Sequence, residues 1–292
     1  MFDLRYHVAS LAAVFLALVV GILVGVGLTS QGVISTSERK VLNERIAELR
    51  RQRDSARQQT SDLVRAQRLA QAFVKKSYPP LMAGRLAGTR VAILFVGSVD
   101  GGIRSEIDET LADGDSSGPV RLRAVKVPME VAAVNRILAG RRALARYVGQ
   151  PGRLGAVLAD ELVLGGKTPL WNALIRQLVE ERSGSAREPV DAVVVDRSAA
   201  PQVRGTARFL SGLYDELVRL GVPVVGVEDA DAAPSAVETY RKHGLSSVDD
   251  LDTTAGRLSL AVLLAGGQPG HYGLKRSADD LLPPIQPVQT GG

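Results

Sequence analysis

The chain has 292 residues, 45% of them hydrophobic and 23% charged, enough for one sizeable core with accessory helices. It contains no cysteine, which excludes disulfides, thiolate metal sites and a cysteine nucleophile. The net charge of +5 sits in one segment: residues 36–76 hold 11 Lys and Arg against 5 Asp and Glu, and the remainder is close to neutral. The basic balance therefore gives no reason to expect a nucleic-acid partner, and no aromatic platform is interleaved with the basic residues.

The first element is VASLAAVFLALVVGILVGVGL, residues 8–28, uncharged and with Ser10 as its one polar side chain. At about 1.5 Å per residue it can cross a hydrocarbon core about 30 Å thick. A cleaved signal peptide is the alternative, but the run is longer than a usual h-region, the n-region is weakly basic and no clear A-x-A site follows. The segment reads as an uncleaved anchor. Arg5 flanks one side, and Arg39, Lys40 and Arg45 the other, so local charge counting does not favour a cytoplasmic N-terminus. Gly21 and Gly25 form a G-x-x-x-G pair, which lets two helices approach closely or is simply the glycine common in membrane helices.

A charged helical pattern follows, free of Gly and Pro from residue 36 to residue 78. Its 4-3 spacing runs Leu42, Ile46, Leu49, Arg53, Ala56, Thr60, Leu63, Gln67, Ala70, Val74. Arg53, Thr60 and Gln67 weaken the stripe at its centre. Two readings stand: an amphipathic helix packed on its own domain, or a marginal coiled coil. In the second, a basic face of Arg50, Arg51, Arg53 and Arg57 is open to a partner or an anionic surface. Tyr78-Pro79-Pro80 is expected to end this stalk.

Beyond it, RVAILFVG (90–97), DAVVVD (191–196) and VPVVGVED (222–229) are β-branched apolar runs, the pattern of strands buried on both faces. RLRAVKVP (121–128) alternates as a further strand. Helices are predicted over 103–111, over 168–182 with Thr168 as cap, and over 204–221, 234–243 and 255–267; residues 129–149 and 152–165 read as helices or turns, and 246–253 as a short strand or turn. The alternation predicts an α/β fold: a transmembrane helix continuing into a long coiled-coil-like helix, then a Rossmann-like, mostly parallel sheet with helices on both faces. The boundaries are 1–30 for the anchor, 31–78 for the basic stalk, 79–282 for the α/β domain and 283–292 for a disordered Pro-rich tail.

The motifs carry little chemistry. Gly97-Ser-Val-Asp-Gly-Gly102 follows a strand and precedes a helix, where phosphate binds in doubly wound folds, but it is neither G-x-G-x-x-G nor a P-loop and reads as a turn that needs glycine. Asp249, Asp250 and Asp252 could hold a hard cation, yet Thr253 or Thr254 before Ala255 makes helix capping the better account. His7, His243 and His271 have no catalytic partner at a readable spacing. No catalytic, cofactor-binding or metal-binding residue is assigned, and the chain is expected not to be an enzyme. Residues 266–284, GGQPGHYGLKRSADDLLPP, form a constrained turn with polar tips.

The start, LRYHVASLAAVFLALVVGILVG before a charged helix, and the end, SSVDDLDTTAGRLSLAVLLAGGQPGHYGLKRSADDLLP, resemble the mycobacterial copper transport protein B (MctB-like) family of actinobacterial envelope proteins. The resemblance implies a role in copper transport or homeostasis and a membrane-anchored extracytoplasmic domain behind a coiled coil. Related proteins of this architecture are associated with cell separation through partners that control peptidoglycan hydrolases. The residues themselves offer copper little: three Met (Met1, Met82, Met129), three scattered His, and no M-x-x-M, H-x-H or C-x-x-C. One apolar helix cannot line a pore, so an ion path needs an oligomer. The expected partners are the membrane, further copies of the chain and an envelope protein. The alternative function is a non-enzymatic envelope scaffold.

Overall fold

The computed structural model describes residues 4–30, 36–185 and 187–287. The chain divides into two compact units, Met1–Gln71 and Ala72–Gly292.

In the first unit, α1 (Leu4–Ser30) is a continuous helix, and Tyr6–Gly27 within it is long and apolar enough to cross a membrane. Its leucine, valine and phenylalanine side chains between Val8 and Val26 are exposed. Helix α2 (Thr36–Met82) follows as one element and ends in the second unit. Residues 31–35, expected to begin the stalk, lie outside the described residues.

The second unit is built on a seven-stranded sheet of order β3-β2-β1-β4-β5-β6-β7. The strands are β1 (Val91–Val96), β2 (Pro119–Val125), β3 (Val179–Gly184), β4 (Ala192–Asp196), β5 (Val224–Val227), β6 (Ser246–Val248) and β7 (His271–Tyr272). All neighbours run parallel except β2 and β3. Every residue of β1, β4 and β5 is buried, so the continuous apolar runs are strands covered on both sides.

Alternation sorts β1 between two cores. Ala92, Leu94 and Val96 face a layer formed by α4 (Val131–Ala139), α5 (Pro151–Leu164), α6 (Pro169–Leu178), α7 (Arg204–Arg219) and α8 (Val237–Lys242). Val91, Ile93 and Phe95 face a layer formed by the end of α2, α3 (Gly101–Asp113) and α9 (Thr254–Leu264). Helices α5 and α7 cross closely: a Cβ on Gly212 would collide with the Gly152 carbonyl oxygen, so glycine sets their spacing.

Four expectations are corrected. The helix predicted over 168–182 stops at Leu178, and Val179 starts the antiparallel edge strand β3. Helical periodicity overruns the true end because the partner that claims these residues is distant in sequence: Arg123 faces Arg182, and Val125 faces Val179. Thr168 holds the cap position of α6 but makes no side-chain cap bond. The Glu161 carboxylate on α5 takes the first-turn amides instead, accepting from Leu170 and Trp171 at 3.0 Å each.

Tyr78-Pro79-Pro80 does not end α2. The two prolines lack donors, a local cost of several kcal/mol, yet the helix continues to Met82. Burial outweighs the break: Met82 and Leu86 are fully buried in the core, and the Tyr78 hydroxyl donates to Asp113 at 2.8 Å. The tail also stays engaged past residue 283. Pro283 is buried and the Gln286 carbonyl accepts from Arg85 at 3.3 Å, while residues 288–292 lie outside the described residues.

Replacing Glu161 by alanine removes two charge-assisted bonds from the buried start of α6. The expected loss is about 2–3 kcal/mol, measured as a lower denaturant midpoint with Trp171 fluorescence as the probe.

Candidate functional site

Strand order reverses between β1 and β4. After β1 the chain turns into α3 on one face; after β4 it turns into α7 on the other. The carboxyl edge of a parallel sheet at such a reversal is where a crevice opens. Here the two loops close against each other: the Ser198 hydroxyl donates to the Ser98 carbonyl at 2.9 Å, and the Ala199 amide donates to the Val96 carbonyl at 3.2 Å. Gly97, at φ +114°, allows this, since a Cβ there would sit 2.6 Å from Ser198 Oγ.

The Gly97–Gly102 turn is thus a tight connection. Its Asp100 caps α3 with its own carboxylate, accepting from the Gly102 and Ile103 amides at 2.8 and 3.2 Å. The position a phosphate takes at a helix start is occupied by a negative side chain.

A cavity of about 260 Å³ remains beside this closure, at the ends of β4 and β5. Asp100, Asp196, Glu228, Asp229 and Asp231 line it together with Arg197. Arg197 turns its guanidinium toward α8, donating to Thr239 Oγ1 at 2.7 Å. Asp196 is 4% exposed and its Oδ2 has no hydrogen-bond partner. Burial, then the charges of Asp100 and Asp229, push its carboxyl up to about 7. On α3, burial and the facing Asp229 and Asp252 push Glu106 up to about 7. The Asp229 carboxyl is raised as well, by burial first and by Asp252 next. The crevice is therefore an acidic pocket in which burial and neighbouring carboxylates raise Asp196 and Asp229.

One carboxylate there is fully engaged. Glu228 accepts from Ser235 Oγ at 2.6 Å and from the Ala236 amide at 2.5 Å, and pairs with Lys275 Nζ at 2.5 Å. Lys275 also donates to the Asp229 and Ala232 carbonyls at 3.0 and 3.2 Å. The 266–284 segment is thus structural, because it delivers a cation into the loop after β5. Asp249 fixes its backbone, accepting from the Leu274 and Lys275 amides at 2.8 and 3.1 Å.

The other aspartates prominent in the sequence are structural too. Asp250 accepts from the Thr253 hydroxyl at 2.9 Å, and Asp252 from the Ala230 amide at 2.9 Å. Thr253 caps α9, accepting from the Gly256 amide at 2.9 Å, as helix capping requires. Among the described residues, no group of three or more His, Asp or Glu is placed to hold a metal ion.

Candidate copper donors are dispersed. Met82 and Met129 are buried in opposite layers of the sheet, and Met1 lies outside the described residues. His243, expected to be exposed and unpaired, is mostly covered, with Nδ1 2.6 Å from Asp215 Oδ1. His271 Nδ1 lies 2.9 Å from Ser247 Oγ.

On the first unit, Gly21 and Gly25 lie one turn apart on α1, with nothing within 4 Å of where a Cβ would be. Leu42, Ile46, Leu49, Ala56, Leu63, Ala70 and Val74 run along α2 and are all exposed. Of the basic face, Arg51 pairs with Glu48 at 3.0 Å and Arg53 with Asp54 at 2.7 Å, exposed pairs worth about 0.2–1 kcal/mol at most. Arg50 and Arg57 are exposed beside them. Sequence reasoning missed the acidic crevice, although its signal is present: β4 ends in an aspartate, and β1, β5 and β6 are each followed by one within four residues.

Asp196 supplies a pH test. Its carboxyl is raised from an ordinary 3.8 to about 7, so the folded state binds the extra proton and the stabilising contribution is complete below about pH 4. It is lost as pH rises through 7. Asp196→Asn is expected to be more stable than wild type at pH 8, by on the order of 2 kcal/mol, and level with it near pH 4. Thermal melts across that range check the slope.

The family model described as copper transport outer membrane protein, MctB, matches residues 1–283. The copper transporter MctB of Mycobacterium bovis is 27% identical over 317 aligned residues, covering 95% of this chain and 98% of that protein. The copper transporters MctB of two Mycobacterium tuberculosis strains match to the same extent.

Proposed function

This chain belongs to the MctB family of copper transport outer membrane proteins, and we propose that it is a single-pass, membrane-anchored component of copper transport and homeostasis. In this reading α1 is the anchor, α2 a self-associating stalk, and the α/β domain a non-enzymatic, Rossmann-like module on the extracytoplasmic side. The observation that carries it is the extent of the family match, which takes in anchor, stalk and sheet together.

Physical chemistry constrains how copper moves. Residues 8–28 contain only Ser10 as a polar side chain, so a single α1 offers no ion path. A path therefore belongs to an assembly of several copies. The Gly21 and Gly25 pair supports close approach in the membrane, and the exposed 4-3 stripe of α2 supports it beyond the membrane. Copper is cargo, and a single chain supplies no soft ligand set for it among the described residues: two thioethers are locked in opposite cores and two imidazoles have their own partners. The basic face at Arg50, Arg51, Arg53 and Arg57 suits anionic headgroups or an acidic envelope partner.

The full chain in proteoliposomes is expected to give saturable copper flux above that of empty vesicles. Gly21→Ile together with Gly25→Ile should reduce the flux several-fold; rates equal to empty vesicles for wild type would remove the transport reading. Orientation is tested by Ser117→Cys, a clean reporter because the chain has no other cysteine. A membrane-impermeant maleimide is expected to label it on intact spheroplasts. Labelling only after lysis would put the domain in the cytoplasm.

A further inference from the structure

The strand β2, PVRLRAV, places Arg121 and Arg123 on one face by its period of two, the face that packs against the α5–α7 layer. Two arginines in a buried strand break the pattern that fixes register elsewhere in this sheet. Arg121 explains itself. Its Nε, Nη1 and Nη2 donate to the backbone carbonyls of Ser185, Leu162 and Glu188, and it braces the connection between α5 and β4.

Arg123 does not. It is 6% exposed, and only Nη1 is engaged, donating to the Leu122 and Ser183 carbonyls at 2.6 and 3.0 Å. Among the described residues its Nε and Nη2 have no acceptor and it pairs with no carboxylate. Its cross-strand partner in register is Arg182. Like charges directly opposite each other destabilise a ladder, and a buried cation without a counter-charge is costly. Burial first, and then the positive charges of Arg121 and Arg182, lower its guanidinium to about 10. Among the described residues, only the two backbone carbonyls offset this.

The space beside it is a cavity of about 360 Å³ between β2, β3 and α6. Arg123, Arg182, Thr168, Asn172 and Ser183 offer hydrogen-bonding groups to it, and Trp171 and Ile175 form an apolar wall. An oxyanion would satisfy the open edge of Arg123, bridge the two opposed guanidinium groups and cancel their repulsion, since a planar fork matches a carboxylate or phosphate in two-point contact. We propose that this cavity is a binding site for a small oxyanion, the carboxylate or phosphate group of a ligand whose apolar part lies on Trp171. The site is separate from the acidic crevice, opposite to it in charge, and independent of the copper reading.

Trp171 is the only tryptophan in the chain, so its fluorescence reports this cavity. The full-length protein in detergent is titrated with sodium phosphate and with sodium citrate, ionic strength being held constant with sodium chloride. A saturable change with either anion, absent with chloride, is expected; which anion produces it separates the phosphate class from the carboxylate class. Arg123→Gln should abolish saturation. Arg182→Gln should weaken binding about tenfold or more, the loss of one charge-assisted contact. Arg182 is exposed on an edge strand, so that variant decides the matter even if Arg123→Gln fails to fold. The proposal is overturned if wild type responds to neither anion, or if Arg182→Gln titrates with the wild-type midpoint.

Discussion

Lys275 carries its ammonium from the C-terminal segment into the loop after β5, where Glu228 and two backbone carbonyls receive it. The loop after β5 and the 266–284 segment are joined by that contact. Glu228 is 5% exposed, and without its cation it would be left as a buried, uncompensated charge, a loss of about 3–5 kcal/mol for such pairs. The same carboxylate fixes the entry to α8 through Ser235 and the Ala236 amide. One ion pair thus ties strand, helix and C-terminal segment together, and sets the wall of the crevice that Asp196 and Asp229 complete.

The parts legible in the sequence are those governed by local physics. The apolar runs of β1, β4 and β5 signal strands covered on both faces because almost nothing polar interrupts them. The Thr253 cap is legible because capping acts over three residues. What stays hidden depends on partners far along the chain. Glu161 capping α6 from α5, Arg123 opposite Arg182, and Met82 drawing a helix through two prolines are tertiary facts with no local signature. The crevice lies between. Its aspartates at the ends of successive strands are visible, but only the strand order brings those at β4 and β5 into one cavity.

Charge is partitioned along the molecule. The excess of basic residues belongs to α2, while the second unit has an acidic cavity and an arginine-lined cavity at separate places on its sheet. A soft cation such as copper finds its preferred sulfur and imidazole donors in neither. Family membership and donor chemistry are reconciled if the route for the ion is created by association of chains, and the fold of each chain serves to position that association.

The two outermost strands have a further consequence. An open sheet ends in unpaired amides and carbonyls that can recruit strands from other molecules. Here one border is β3, VEERSG, with three charged side chains in six residues and a terminal glycine. The other border is the two-residue β7, already bridged from Tyr272 to Asp280. Neither presents a long, flat, apolar template. Should copies of the chain meet at high local density, neither border offers the template on which a continuous sheet between molecules could grow.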